Sequence, residues 1–289
     1  MTPAAEDLDE VVSALRRWQR SSTPFQLHPG DLGWFWRFGA GATAAAVRTW
    51  RDGGRIVAVG LLDGPDLLRL AIAPALHRDE VLARRLLQDL VDPACGVLPE
   101  GAVAVEAPPG ALVQDLLGEA GWPLDEPWSL LRRDLAAPVE PSRLRLEVVG
   151  AERAAVWVAL QQIAFGGSMD DTAVQRWHDM AAGSPFADAR CLVGHDPDVG
   201  GDAVAAVTVW SAGRGRCGVI EPLGVHPDAR GRGHGRAITL AAAATLADLG
   251  SCCALVATPS ANVGAVATYV SAGFERLTDR FDRRRDDTR

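Results

Sequence analysis

A chain of 289 residues, 48% hydrophobic and 23% charged, has the length for two cores of ordinary size and the composition of a soluble globular protein. Its net charge of −8 argues against a general nucleic-acid or anionic-membrane binder, and no uncharged apolar run approaches the ~18 residues of a membrane span. The acidic, amphipathic start shows no signal peptide, and the five cysteines (Cys95, Cys191, Cys217, Cys252, Cys253) lack C-x-x-C spacing, which predicts a reduced cytoplasmic protein without structural zinc.

Taken in order, Leu8, Val11, Val12, Leu15 and Trp18 fall at helical spacing and predict an opening helix. The turn His28-Pro29-Gly30-Asp31 leads into Trp34, Phe35, Trp36 and Phe38, which read as a core or interdomain strand in preference to a ligand wall. From Ala45 to Ile72, Asp52-Gly53-Gly54 and Asp63-Gly64-Pro65 punctuate three strands as hairpin turns. A helix over 79–90, a strand over 102–106, a helix over 111–119 and a strand over 129–135 complete a β-β-β-α-β-α-β order.

Pro138 and Pro141 mark a linker, dividing the chain into 1–137 and 138–289. The second half then repeats the first at an offset of roughly 150 residues: Pro74 answers Pro227, and Ala120-Gly121-Trp122 answers Ala272-Gly273-Phe274, as in a duplicated domain. A strand over 144–149 is followed by helices over 152–165 and 172–181, interrupted by Gly166-Gly167-Ser168-Met169-Asp170-Asp171. Asp170 and Asp171 fall in this interruption, where they could attract an ammonium, although Asp171 reads first as a helix N-cap. Strands over 190–194, 203–211 and 217–225, a helix to Leu249, a strand over 254–258, a helix around Tyr269 and a short strand pair over 274–284 follow. The mixed charges of Arg283 to Asp287 read as a solvated end.

The chemistry concentrates in Val219–Leu249. An apolar run holding one acid, Glu221, meets the basic glycine loop Arg230-Gly231-Arg232-Gly233-His234-Gly235-Arg236, and an Ala/Leu-rich helix stops at Gly250. A strand, a glycine turn and a helix N-terminus form an anion site, because unpaired N–H groups point out of the turn and the helix dipole favours negative charge. Three arginines at the positive end of that helix are each unfavourable by ~0.3–1 kcal/mol until an anion arrives. No Lys follows the glycines, so a phosphate loop of G-x-x-x-x-G-K-[ST] type is excluded; indeed the chain has no Lys anywhere. A dinucleotide fingerprint fails as well, since the glycines alternate and the next strand, Ala254 to Thr258, ends without an acid. The Ala-, Gly- and Arg-rich composition points to a GC-rich bacterial genome.

The loop matches [QR]-x-x-G-x-[GA] with Arg230, Gly233 and Gly235, and residues 262–274 match N-x-x-A-x-x-x-Y-x-x-x-G-F with Asn262, Ala265, Tyr269, Gly273 and Phe274. Together these resemble the two signatures of the GCN5-related N-acetyltransferases. The resemblance is specific over about 215–280 and architectural elsewhere. It implies an α/β (α+β, mixed-sheet) fold, here as two tandem acetyltransferase-like domains, with acetyl-coenzyme A as cosubstrate. By the same resemblance Glu221 deprotonates the amine, the Val225 N–H polarises the thioester and Tyr269, the sole Tyr, protonates the leaving thiolate. Leu223, Gly224 and Val225 would pair with the pantetheine arm, the loop from Arg230 to Arg236 (Gly231, Arg232, Gly233, His234 and Gly235 included) would surround the pyrophosphate, and Asn262 would contact the arm. The first half carries none of this: Leu68, Gly110 and Leu117 stand where Glu221, Asn262 and Tyr269 would be, and Pro74 to Asp79 lack glycines. It therefore reads as a degenerate copy without a cofactor loop. No pair of His residues has metal spacing, so no metal is expected, and Cys252 and Cys253 read as packing residues. The expected partner is a small-molecule amine; neither nucleic acid nor a membrane is expected, and homodimerisation stays open. A non-catalytic acyl-coenzyme A sensor or a protein-binding scaffold on the same fold is the alternative.

Overall fold

The apolar stripe of the first eleven-residue helix, α1 (Leu8–Trp18), is buried as its spacing requires in the computed structural model, which describes residues 1–170, 172–198 and 201–286. The aromatic stretch behaves differently from its expected strand. It forms helix α2 (Pro29–Phe35), extended by a 3-10 turn over Trp36–Phe38. Pro29 presets the first helical φ, the Gly30 N–H donates to His28 Nδ1 at 2.9 Å, and the His28 N–H donates to Asp31 Oδ2 at 2.6 Å. These caps outweigh the strand preference of the aromatics. A Cβ on Gly30 or Gly33 would overlap Trp210, so the two glycines let α2 lie directly on the second half.

The first half continues with α3 (Ala40–Ala46), β1 (Val47–Asp52), β2 (Arg55–Leu62), β3 (Leu67–Ile72), α4 (Glu80–Val91), β4 (Val103–Glu106), α5 (Leu112–Glu119) and β5 (Leu124–Asp134). The second half contains β6 (Arg145–Val148), α6 (Ala154–Ala164), α7 (Ala173–Ala182), β7 (Ala189–His195), β8 (Ala203–Ser211) and β9 (Cys217–Val225). It ends with α8 (His234–Asp248), β10 (Cys253–Pro259), α9 (Val263–Ser271), β11 (Glu275–Arg276) and β12 (Arg280–Arg285). No helix among the described residues is long and apolar enough to cross a membrane.

All strands join one mixed sheet in the order β1-β2-β3-β4-β12-β5-β10-β9-β8-β7-β6, with β11 on β5. The halves exchange their last strands. β5 pairs with β10, from Trp128↔Pro259 to Asp134↔Cys253, while β12 inserts between β4 and β5. The arginines expected at a solvated end are thus sheet residues: Arg283 to Arg285 pair with Val103 to Val105, and Arg283 donates to the carbonyls of Gln114 and Trp122. Asp287 lies outside the described residues.

In the second half, α8 and α9 cover one face of the sheet through Ile238, Leu240 and Leu246 of α8 and Val266 of α9, while α6 and α7 cover the other through Trp157, Trp177 and Met180. The parallel β9–β10 register sets Cys217 opposite Cys253 with Cα atoms 4.6 Å apart, and the two form a disulfide. This corrects the expectation of an all-thiol protein. The bridge spans 36 residues and depends on strand register, which residue spacing does not reveal. The Cys252 sulfur lies 3.9 Å from that of Cys217.

Candidate active site

β9 and β10 pair only from Cys217↔Cys253 to Val219↔Leu255, and beyond that point they diverge into a V-shaped opening. On its other side β9 stays on β8 but carries a bulge, with Glu221 and Pro222 together opposing Thr208. Such an extra residue bends a strand and re-aims its side chains. The Glu221 carbonyl accepts from Trp210 Nε1 at 2.8 Å, which holds the bulge from beneath. At the end of β9 the His226 N–H donates to the Val204 carbonyl on β8. Successive N–H groups alternate sides along a strand, so that of Val225 faces the opening, where no described residue accepts it.

The glycine loop closes the wide end of this opening. Gly231 and Gly233 hold φ values of 75° and 80°, a conformation open mainly to glycine, and Gly233 is the N-cap of α8. The N–H groups from Gly231 to Arg236 find no acceptor among the described residues. The arginines are mostly occupied elsewhere. Arg230 donates to the Ala164 carbonyl at 2.8 Å and so ties the end of α6 to the loop. Arg236 pairs with Glu140 at 2.6 Å and donates to the Ser271 carbonyl. His234 is buried, 3.3 Å from Asp196 and 3.2 Å from Arg143, and burial lowers its affinity for a proton. Its ring braces the loop, leaving its backbone to face the groove. Arg143, from the linker, also donates to the Arg232 carbonyl.

The third wall is α9. Asn262 caps this helix, its Oδ1 accepting from the Ala265 N–H at 3.1 Å. Two turns on, Tyr269 is buried against Phe274. Burial, and secondarily the charge of Glu221, push its phenol well above the ordinary value, so it remains a proton donor. Gly235 approaches α9 closely, since a Cβ there would stand 3.0 Å from Thr268. Leu223, Gly224, Val225, the loop backbone, Asn262 and Tyr269 together line one groove of about 700 Å³, completed by Ala164, Phe165 and Thr268.

Three expected residues lie outside that lining. Arg232 borders a separate depression with His226 and Asp228. Glu221 is half-buried, within electrostatic reach of Tyr269, Arg37, Arg69 and Asp31. Asp170 accepts from the Thr172 N–H and hydroxyl and lies 3.5 Å from Arg176, at the start of α7. Asp171 falls outside the described residues.

Beside Glu221 the first half contributes a buried ion cluster. Arg69 lies 3.1 Å from Asp31, 3.3 Å from Asp63 and 3.0 Å from Glu106, and Glu106 reaches Arg280 on the exchanged β12 at 2.8 Å. Each cation is matched by carboxylates, as burial demands. His28 links the halves as well, its Nε2 donating to the Cys217 carbonyl at 3.1 Å. Burial pushes its imidazole down to about 3, so it is neutral.

The first half repeats the splayed geometry without its openness. β3 and β4 pair from Leu67↔Ala104 to Arg69↔Glu106, and the Ala73 N–H donates to Val57 as His226 does to Val204. Ile72 therefore stands where Val225 stands, but its N–H donates to Gln26 Oε1 at 3.1 Å. Leu117, the counterpart of Tyr269, is fully buried. Sequence reasoning missed Gln26, Arg143 and Gln161. The only local hint for Gln161 is a polar residue on the apolar face of α6.

Residues 157–274 match the model of the Acetyltransferase (GNAT) family. No curated protein matches the sequence. Among solved structures, the chain is similar to a tandem GNAT protein from the clavulanic acid biosynthesis pathway, at 15% identity over 99% of this chain and 98% of that one, with a TM-score of 0.57. An acetyltransferase of the GNAT family from Colwellia psychrerythraea gives 15% identity, 97% and 96% coverage and a TM-score of 0.61. A GCN5-related N-acetyltransferase from Sphaerobacter thermophilus gives 18%, 98% and 94%, and 0.56. With its signature segment inside the matched residues, the second half is similar to the Acetyltransferase (GNAT) family, and the whole chain has the fold of two such domains in tandem.

Proposed function

We propose that the second half, 138–289, binds acetyl-coenzyme A in the groove and passes its acetyl group directly to a primary amine of a small molecule, while the first half, 1–137, has lost its cofactor site. The observation that carries this reading is the contrast at one backbone group: the Val225 N–H faces an open groove, whereas the Ile72 N–H is taken by Gln26. The unpaired N–H groups from Gly231 to Arg236 suit a pyrophosphate, and Gly224, where a Cβ would overlap Ala164, lets α6 lie close against the groove strand.

Glu221 takes a proton from the bound ammonium, directly or through a water, and exposes the nitrogen lone pair. The Val225 N–H stabilises the oxyanion as the nitrogen–carbon bond forms. When the carbon–sulfur bond breaks, Tyr269 gives its phenolic proton to the thiolate, the acylated nitrogen sheds its remaining extra proton to solvent to give the neutral amide, and the phenolate, whose raised proton affinity favours reloading, takes a proton back from solvent. The transfer passes through a ternary complex, with no acyl-enzyme.

The test is release of coenzyme A thiol from acetyl-coenzyme A across a panel of primary amines. Amine-dependent release that falls at least ~100-fold in both Glu221→Gln and Tyr269→Phe supports the assignment. Cofactor binding with no amine-dependent release from any member of the panel, or turnover indifferent to both substitutions, overturns it.

A further inference from the structure

A second cavity of about 130 Å³, outside the groove, lies between α6, α7 and the end of α2 in the first half. Its volume is close to the ~150 Å³ that accommodates a benzene ring. Trp34, Trp157, Trp177 and Met180 give it apolar walls, and Arg37 and Arg176 bring two cations to it. The two arginines differ. Arg176 lies 3.5 Å from Asp170, whereas Arg37 has no carboxylate within ion-pair distance among the described residues. The Arg37 guanidinium lies 4.1 Å from the Trp34 ring centroid and 4.4 Å from that of Phe38, and it donates to the Trp34 carbonyl at 2.7 Å. Burial brings it down to about 10, still cationic at neutral pH. A largely desolvated cation held in place with no carboxylate in ion-pair contact, Asp63 and Glu221 acting on it only at longer range, has donors left for an anion.

Gln161 connects this cavity to the groove strand. It lines the cavity, its Nε2 donates to the Ala206 carbonyl at 3.2 Å, and its buried Oε1 has no donor. That oxygen lies 3.3 Å from where a Cβ on Gly224 would stand. An unpaired buried acceptor beside the groove strand fits an amine N–H, and an unpaired cation in the same cavity fits an anionic group.

We infer that this cavity selects the acceptor, an amine that carries an anionic group on a ring-sized body, and that Arg37, supplied by the first half, is the residue that reads the anion. The inference rests on the acyl-transfer reading and adds a role for the first half: it completes the acceptor pocket of the second.

Calorimetric titration of the coenzyme A-loaded protein with 4-(aminomethyl)benzoate and with benzylamine tests it. The carboxylate-bearing amine is expected to bind at least tenfold more tightly, Arg37→Gln to bring the two within about threefold, and Arg37→Lys to keep part of the preference. Equal binding, preference for benzylamine, failure of both to bind, or a preference that survives Arg37→Gln overturns the inference. Failure of coenzyme A itself to load would instead count against the acyl-transfer reading. Circular dichroism of each variant separates lost recognition from lost folding, and the exposed partner Arg176→Gln, expected to weaken the preference severalfold, tests the same claim should Arg37→Gln not fold.

Discussion

Gln26 Oε1 accepts from the Ile72 N–H at 3.1 Å, and by doing so fills the position that Val225 leaves open in the other half. The same oxygen lies 3.3 Å from His77 Nε2, which also reaches the Ile72 carbonyl at 2.9 Å. One side chain thus closes the cleft of the first half and satisfies a buried donor. Replacing it with an apolar residue strands that donor at a cost of about 1–3 kcal/mol. Gln26→Leu is expected to lower the unfolding free energy by that amount in denaturant titration without creating a second cofactor site, because Pro74 to Asp79 still lack the glycine turn. A variant as stable as the parent would contradict the role given to Gln26.

Tyr269 must be protonated to serve as the acid, and its environment moves its titration upward. The sign follows: the active, protonated form persists above the ordinary phenol value of 10.0. The kcat profile is therefore expected to show no alkaline fall due to this group below pH 10, and Tyr269→Phe to lower kcat without moving the remaining limbs. An alkaline limb that disappears in Tyr269→Phe would contradict it.

His28 gives a pH dependence of stability. The folded protein holds it neutral down to about pH 3, whereas an unfolded imidazole takes up its proton near 6.5. Between those values the unfolded chain binds more protons, so stability falls as pH falls, by about 1.4 kcal/mol per unit. Asp31 and Asp282, both raised by burial, work in the opposite direction but are common to any His28 variant. Unfolding free energies of the parent relative to His28→Gln, measured from pH 7 to 4, should decline with this slope; a flat difference would show that His28 is not held neutral.

How much of this was legible in the sequence depended on how local the cause was. The α1 stripe, the hairpin turns and the loop-to-helix transition at Gly233 are set by neighbours within a few residues, and they fold where the pattern places them. The groove was legible too, since strand, loop and Tyr269 helix follow one another in the chain. The Trp34–Phe38 stretch was misread because aromatic density masked the capping box at His28 and Asp31. The exchange of β5 and β12, the Cys217–Cys253 bridge, and the partners Gln26–Ile72 and Gln161–Gly224 all depend on register between distant segments, and no spacing encodes that.

The central claim is one cofactor site per chain, built on the open strand end and the glycine loop of the second half. Calorimetric titration of the whole protein with acetyl-coenzyme A, beside Gly233→Glu and Gly235→Glu, tests it most directly. Both changes put a carboxylate among the loop N–H groups, and the first also forces a side chain onto a φ of 80°. The account predicts a stoichiometry of one for the parent and loss of binding in both folded variants. A stoichiometry of two, no binding by the folded parent, or variants that bind as the parent does would contradict it.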